Sequence, residues 1–345
     1  MSNRHEGNDA RPARRSDGLL LIPVKAVMQV IDVPLRAWQR LAGLTGMASF
    51  FLLPNMAVFA IFVLVPFVIN FVYSVTGGTE IFLDQRFYVG AAQYRDIFDC
   101  RSYLDPSTCV EDGFWVSTRN TALFVVVQVA LMILVALVTA LVLNREIAGR
   151  SFWRAVFFFP VLLSPVVVGL IWRWILQRQG LLNLVLYELF GFEPYSWLTD
   201  RNAAFAAAVG VTIWARVGFF ALILLAGLQA IPKELYEAAE MDGTRRTRVF
   251  FRITLPLLMP NLLVVLVLGL IRSVQVFDEA YVLTGGGPGT STMYLTQYIY
   301  EKGFASDLRD PGLAAAASIL MGTVLVVLTL VQMAASRRNE KKGER

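Results

Sequence analysis

One histidine, His5, stands in a polar N-terminal tail, so neither a multi-histidine metal site nor a histidine-dependent triad can be assembled from this chain. The two cysteines, Cys100 and Cys109, share one polar loop. Facing an oxidising compartment they would close a small ring contributing about 2 to 3 kcal/mol; otherwise they are two free thiols. Glycines crowd residues 285 to 289, GGGPG, as in a phosphate cradle, but no Gly-Lys-Ser/Thr follows them, so this is not a P-loop. What remains is charge in unusual places. Arg216 sits in the middle of an apolar stretch, where an arginine costs roughly 2.5 to 3.5 kcal/mol on insertion scales. It either lines a wet cavity, or snorkels or pairs with a neighbouring chain. A charged segment, EAAEMDGTRRTRVFFRITLP, Glu237 to Pro256, is wedged between two long apolar runs.

Those charges must be positioned by a membrane protein. The chain has 345 residues, 56% hydrophobic and 17% charged, with mean hydropathy +0.58, too apolar for an ordinary soluble domain. Its pI near 9.3 reflects basic residues set beside apolar runs, as expected for charges that orient spans, and not a nucleic-acid surface. About 20 apolar residues cross the hydrocarbon core as a helix. Six segments qualify, near 48–75, 121–143, 155–176, 203–228, 257–276 and 313–335. An all-α membrane protein follows: a tail with an interfacial helix over 1–47, a six-span domain over 48–335 and a basic tail over 336–345. Residues 19–44, with Lys25, Arg36, Arg40, Pro23 and Pro34, read as a helix lying in the interface rather than a seventh span. The first span lacks a small-residue cleavage site and reads as a retained helix. Residues 180–191 are too short to span and read as a second interfacial helix.

Basic residues choose the orientation. Arg4, Arg11, Arg14 and Arg15 precede the first span and Arg337, Arg338, Lys341 and Lys342 follow the last, so both termini are expected in the cytoplasm. Arg145, Arg150 and Arg154 place the link between spans two and three on that side, and Arg245, Arg246, Arg248 and Arg252 do the same for 231–256. The loops with Asp96, Asp99, Glu111, Asp112, Asp307 and Asp310, including the cysteine loop, face outward.

Between spans four and five, Pro232 suits a first helical turn, and Leu235, Ala238, Ala239 and Asp242 follow at helical spacing. Gly243 ends that helix, Thr244 caps the next, and Pro256 breaks the pattern where the fifth span begins. Glu-Ala-Ala, three residues, Gly, nine residues, Ile, one residue, Leu-Pro is the loop of binding-protein-dependent ABC transporter permeases. Glu237, Ala238, Ala239, Gly243, Ile253, Leu255 and Pro256 fill those positions and Asp242 precedes the Gly, so the chain resembles that family over this loop. The LAGLQAIP run at 225–232, residues 276–292 and YIYEKGF at 298–304 resemble its carbohydrate-importing members, of the maltose and glycerol-phosphate type.

The resemblance implies a type I ABC importer permease fold whose helix-turn-helix coupling loop, 231–256, sits in a cleft of an ATP-hydrolysing subunit. It implies a second similar permease, two ATP-binding subunits holding ATP and Mg, and an extracytoplasmic solute-binding protein, with no enzyme activity or cofactor in this chain. For a sugar or related polyol, aromatic faces would stack on rings while amides and carboxylates bond hydroxyls. Gln128, Trp214, Arg216, Gln275, Phe277, Asp278 and Tyr281 are the candidates for lining its path, each equally readable as a packing or interhelix contact. An ATP-independent secondary transporter or channel is the alternative; it predicts an inverted repeat, and residues 48–176 and 203–335 show no self-similarity.

Overall fold

The computed structural model describes residue 43 and residues 49–146, 148–305 and 309–343. The expected interfacial helix over 19–44, most of the N-terminal tail and Asp307 lie outside them, as do the side chains of the basic C-terminal tail. The chain divides into two units between Ile69 and Asn70.

Helix α1 (49–74) is apolar on all sides, and within the first unit, from residue 49 to residue 69, every residue but Ala60 is exposed. A helix hydrophobic all round has the composition of a membrane span or a buried helix. It contains one wide π-helical turn, Ala60–Leu64.

In the second unit, residues 75–111 form a small polar cap. Strand β1 (Thr76–Gly77) pairs antiparallel with β2 (Phe87–Tyr88), followed by helix α2 (Ala92–Phe98). Arg86, almost fully buried, ties the hairpin together: it donates to the carbonyls of Thr76, Gly78 and Glu80 at 2.6 to 3.0 Å. Cys100 and Cys109 are joined in a disulfide across this cap. The cap is pinned to the next helix by Trp115, whose indole donates to the Ile97 carbonyl at 2.8 Å.

Helix α3 (Asp112–Asn144) begins well before the expected residue 121, because its first turns bury Phe114 and Ser117 under the cap. It packs most extensively on α7 (Arg201–Gln229), and both pack on α9 (Arg246–Val274). The contacts follow helical spacing: Met132, Ala136, Ala140 and Leu143 face Phe220, Leu224 and Leu228, with Leu258 and Val265 closing the core. Polar contacts also cross this interface: Ser273 donates to Gln128, and Asn261 donates to the Ile223 carbonyl at 3.5 Å.

The third expected span is not one rod. Helix α4 (Arg150–Phe158) runs into a 3-10 turn, Phe159–Leu162, and after a bend of 100° the chain resumes as α5 (Pro165–Ile175). Two prolines cause this. Pro165 drives Ser164 into extended geometry, ψ 136°, and Pro160 removes a donor from the preceding turn. The short helix α6 (Leu181–Phe190) follows and ends on Gly191. Helices α10 (Asp278–Thr284) and α11 (Leu295–Tyr300) are also short, and α12 (Pro311–Gly343) supplies the last apolar run, Pro311–Ala334. Among the described residues, five helices are long and apolar enough to cross a membrane, or six if the bent pair is one span.

The disulfide should shield both thiols. A maleimide should label neither Cys100 nor Cys109 in the folded, air-purified protein and should label both after reduction. Labelling before reduction would show the bond does not form.

Candidate functional site: a charged cavity at a broken helix and a helical turn

The bend between α4 and α5 opens a cavity of about 350 Å³, walled by Pro160 and Pro165 at the break and by Phe219 and Phe220 of α7. Its polar lining is Arg216 of α7, Arg272 of α9 and Glu279 of α10. Arg216 donates to the Glu279 carboxylate at 2.5 Å; the arginine side chain is 25% exposed and the carboxylate 3%. A second Arg216 donor reaches the Arg272 carbonyl at 3.4 Å. Arg216 therefore faces a cavity, and its partner is a carboxylate of its own chain, where the sequence suggested snorkelling or a neighbouring chain as the alternative.

Glu279 was not singled out by sequence. Its signal was indirect, since an arginine at that depth calls for a carboxylate, and Asp278 and Glu279 follow directly on the long apolar run that ends near residue 276. Helix α10 can deliver Glu279 because it lies tight against α5. At Gly169 an added Cβ would come within 3.0 Å of the Glu279 carbonyl and 2.9 Å of Val282, so a larger residue would push the two helices apart.

The other path candidates are distributed differently. Gln128 is buried between α3 and α9, holding Ser273, and does not line the cavity. Trp214 packs edge-on against Trp172, ring centroids 5.4 Å apart. Gln275 is exposed at the end of α9. Phe277 and Tyr281 stack at 5.2 Å and continue onto Tyr300 and Phe304. One turn apart, they share a face of α10, whereas Glu279 lies about 200° round the helix from Phe277. The aromatic candidates and the charged cavity thus occupy opposite faces of one short helix, with Asp278 exposed between them.

The glycine run forms a loop after α10, with Gly285, Gly286 and Gly289 in left-handed geometry. Asn120 of α3 holds it, donating to the carbonyls of Thr290 and Met293 at 2.7 and 3.2 Å. Below it, Tyr298 donates to Glu111 at 3.0 Å; burial first, and then the Glu111 charge, push its pKa up, so it stays a neutral donor.

Between α7 and α9 lies helix α8 (Lys233–Met241), entered through Pro232. It ends on Gly243 at φ +63°, with Gly243 N–H bonded to the Glu240 carbonyl and Thr244 N–H to the Ala239 carbonyl, both at 2.9 Å. This is the double closure that a left-handed glycine permits at a helix end. Glu237, Ala238, Asp242 and Gly243 are exposed, whereas Ala239 is buried against the spans. Tyr236 and Thr254 hydroxyls meet at 3.2 Å and clamp α8 to α9.

Two expectations are corrected here. Thr244 does not cap the next helix: that helix starts at Arg246, Arg245 is the extended residue before it and stands in the cap position, and the Thr244 N–H closes α8. Pro256 does not break the pattern: α9 runs unbroken from Arg246 to Val274, past Ile253 and Leu255. A wide π-helical turn, Phe250–Thr254, takes up the register change ahead of the missing Pro256 N–H.

The fold and these two sites define a helical, multi-span membrane transport component, and comparison with known proteins is specific. The family described as "Binding-protein-dependent transport system inner membrane component" matches residues 132–341, and the chain belongs to it. The trehalose/maltose transport system permease protein MalF of Thermococcus litoralis is 34% identical over 83% of this chain and 92% of its own length. The sulfoquinovosyl glycerol transport system permease protein SmoG of Agrobacterium fabrum is 34% identical over 90% of this chain and 98% of its own. The fold is also that of a bacterial ABC transporter involved in alginate import, with TM-score 0.71 and 23% identity, over 88% of this chain and 99% of that one. The chain is thus a multi-pass permease subunit of an ABC transporter, and nothing in these likenesses favours an ATP-independent transporter or channel.

Removing one partner of the buried pair should cost more than removing both. Glu279→Leu alone should destabilise by about 3 to 5 kcal/mol through the stranded arginine, read as a fall in the thermal midpoint in detergent, while Arg216→Met with Glu279→Leu should recover most of it. Equal midpoints for the single and double variants would mean the pair does not hold α7 to α10.

Proposed function

We propose that this permease passes a sugar or related polyol, delivered by an extracytoplasmic solute-binding protein, through a path shared with a second, similar permease. Two separate subunits would bind ATP and Mg and engage the exposed face of α8. Both termini and the α7–α9 turn would then lie in the cytoplasm, the disulfide-bonded cap outside.

The observation that carries this reading is the continuity of α9. Its 29 residues make a rod about 43 Å long, from the exposed turn at Arg246 to Arg272 at the cavity. The two cationic walls of the cavity, Arg216 and Arg272, stand on α7 and α9, the helices that flank α8. Closing a partner cleft on α8 would move those two helices, and the bend between α4 and α5, packed against α7 at Gly218, is where the cavity wall would take up that motion as a change of angle. The sugar class rests on relatives that carry sugars and glycosides by name, and on the half-buried cluster of Phe277, Tyr281 and Tyr300, rings of the type that stack on sugars.

Tagged purification in mild detergent with mass spectrometry should recover an ATP-binding subunit and a second permease. Gly243→Pro should keep membrane insertion but abolish ATP-driven uptake, because proline cannot adopt the positive φ that closes α8. Undiminished uptake by that variant, or purification of the wild type without any ATPase, would sink the reading.

A further inference from the structure

Two cavities flank the packed pair α5 and α10. The first, at the break, is lined by the N-terminal ends of both helices; a second, of about 320 Å³, is lined by their C-terminal ends. The helices therefore run side by side in the same direction, and the cavities are separated by about 10 Å along them. Arg173 of α5, which reaches the Val282 carbonyl of α10 at 3.4 Å, and Arg178 line the second cavity.

The charge balance along this pair is one-sided. Arg216, Arg272, Arg173 and Arg178 line the two cavities, against one carboxylate, Glu279. That carboxylate is buried and already engaged by Arg216. Among the described residues, Arg272, Arg173 and Arg178 are exposed and have no acidic partner within 4.0 Å. The cavity at the break has no neutral polar side chain in its lining at all, only apolar walls and these charges. The second cavity does hold such groups, Gln177, Ser196, Thr199 and Thr284, which suit the hydroxyls of a sugar, so it is the four arginines that call for a charge as well. Guanidinium forks match carboxylate, sulfonate and phosphate oxygens two at a time, and low-dielectric walls strengthen their pull.

We propose that the two cavities are successive stations for an anionic saccharide, one carrying a fixed carboxylate, sulfonate or phosphate, with Arg178 and Arg173 receiving the charge and Arg272 passing it beside the neutralised Arg216–Glu279 pair. The proposal rests on the permease reading above and names its substrate class. Asp278, exposed on the same helix, is absent from both linings and does not cancel the excess.

The test uses the intact complex with its ATPase subunits in phosphatidylcholine nanodiscs, so that no anionic lipid competes, and three probes: D-glucose, D-glucuronate and D-glucose 6-phosphate. Both anionic probes should bind at least about tenfold more tightly than glucose, and added salt should weaken them selectively. Arg272→Gln and, separately, Arg178→Gln should each remove most of that preference. Arg178 lies on the exposed rim, so its variant reports even if Arg272→Gln fails to assemble. Equal binding of glucose and the anions, absence of anion binding, or an unchanged preference in both variants overturns the proposal. A coupled complex without charge preference refutes this inference alone, whereas a chain that purifies without an ATPase refutes the permease reading instead.

Discussion

Inside hydrocarbon no water is available to the backbone, so every N–H and C=O must be satisfied within a helix or at a place buried in protein. The long helices of this chain obey that constraint directly. The one interruption, at Phe159 to Ser164, is where the constraint is relaxed, and it is relaxed beside the cavity. The turn does not face lipid on that side: α7 closes over it at Gly218, where an added Cβ would stand 2.1 Å from the Phe157 carbonyl. Helix breaking, close approach of α7 and the charged cavity are thus one arrangement. Each requires the others, because an opened backbone at this depth needs cover and an arginine at this depth needs a polar space.

The same logic explains what holds α10. A seven-residue helix has little stability of its own. It is kept by packing on α5, by the Arg216–Glu279 pair, by the acceptance of a Thr296 hydroxyl bond at the Val276 carbonyl just before it, and by the Asn120 contacts to the loop just after it. Glu279 is consequently both a structural and an electrostatic element: it fixes α10 and removes one positive charge from the cavity.

Much of this was legible in the sequence, and the reasons differ by element. Span existence came from sustained apolarity, which no other feature of a chain this hydrophobic could mimic. The turn at Gly243 was legible because a left-handed helix end leaves a residue-specific mark. The break in the third span was visible only as Pro160 and Pro165, whose effect depends on whether neighbouring helices re-satisfy the freed backbone; here they do not restore a straight rod. The break expected at Pro256 failed for the converse reason: a π-helical turn absorbs that proline, and π turns have no simple sequence signature. Arg216 was found by its depth, but Glu279 was missed, because an ion pair between residues 63 apart is a property of packing. Gln128 illustrates the limit further, since a buried amide in a span reads alike whether it faces a path or, as here, a Ser273 hydroxyl.

These parts combine into a mechanical argument. Helices α7 and α9 leave the cavity together and end on either side of α8, and the Tyr236–Thr254 contact with the buried Ala239 makes α8 part of their packed end, not a loose tether. A displacement imposed on the exposed Glu237 face is therefore carried as rigid motion of two core helices, since close-packed interiors transmit strain instead of absorbing it. The α4–α5 break has the opposite character: a sharp bend with extended Ser164 can change angle at the cost of one or two dihedrals. Motion entering at one end of the stiff pair would accordingly be felt at the cavity as a change in the separation of Arg272 and Arg216 from the wall that carries Pro160 and Pro165.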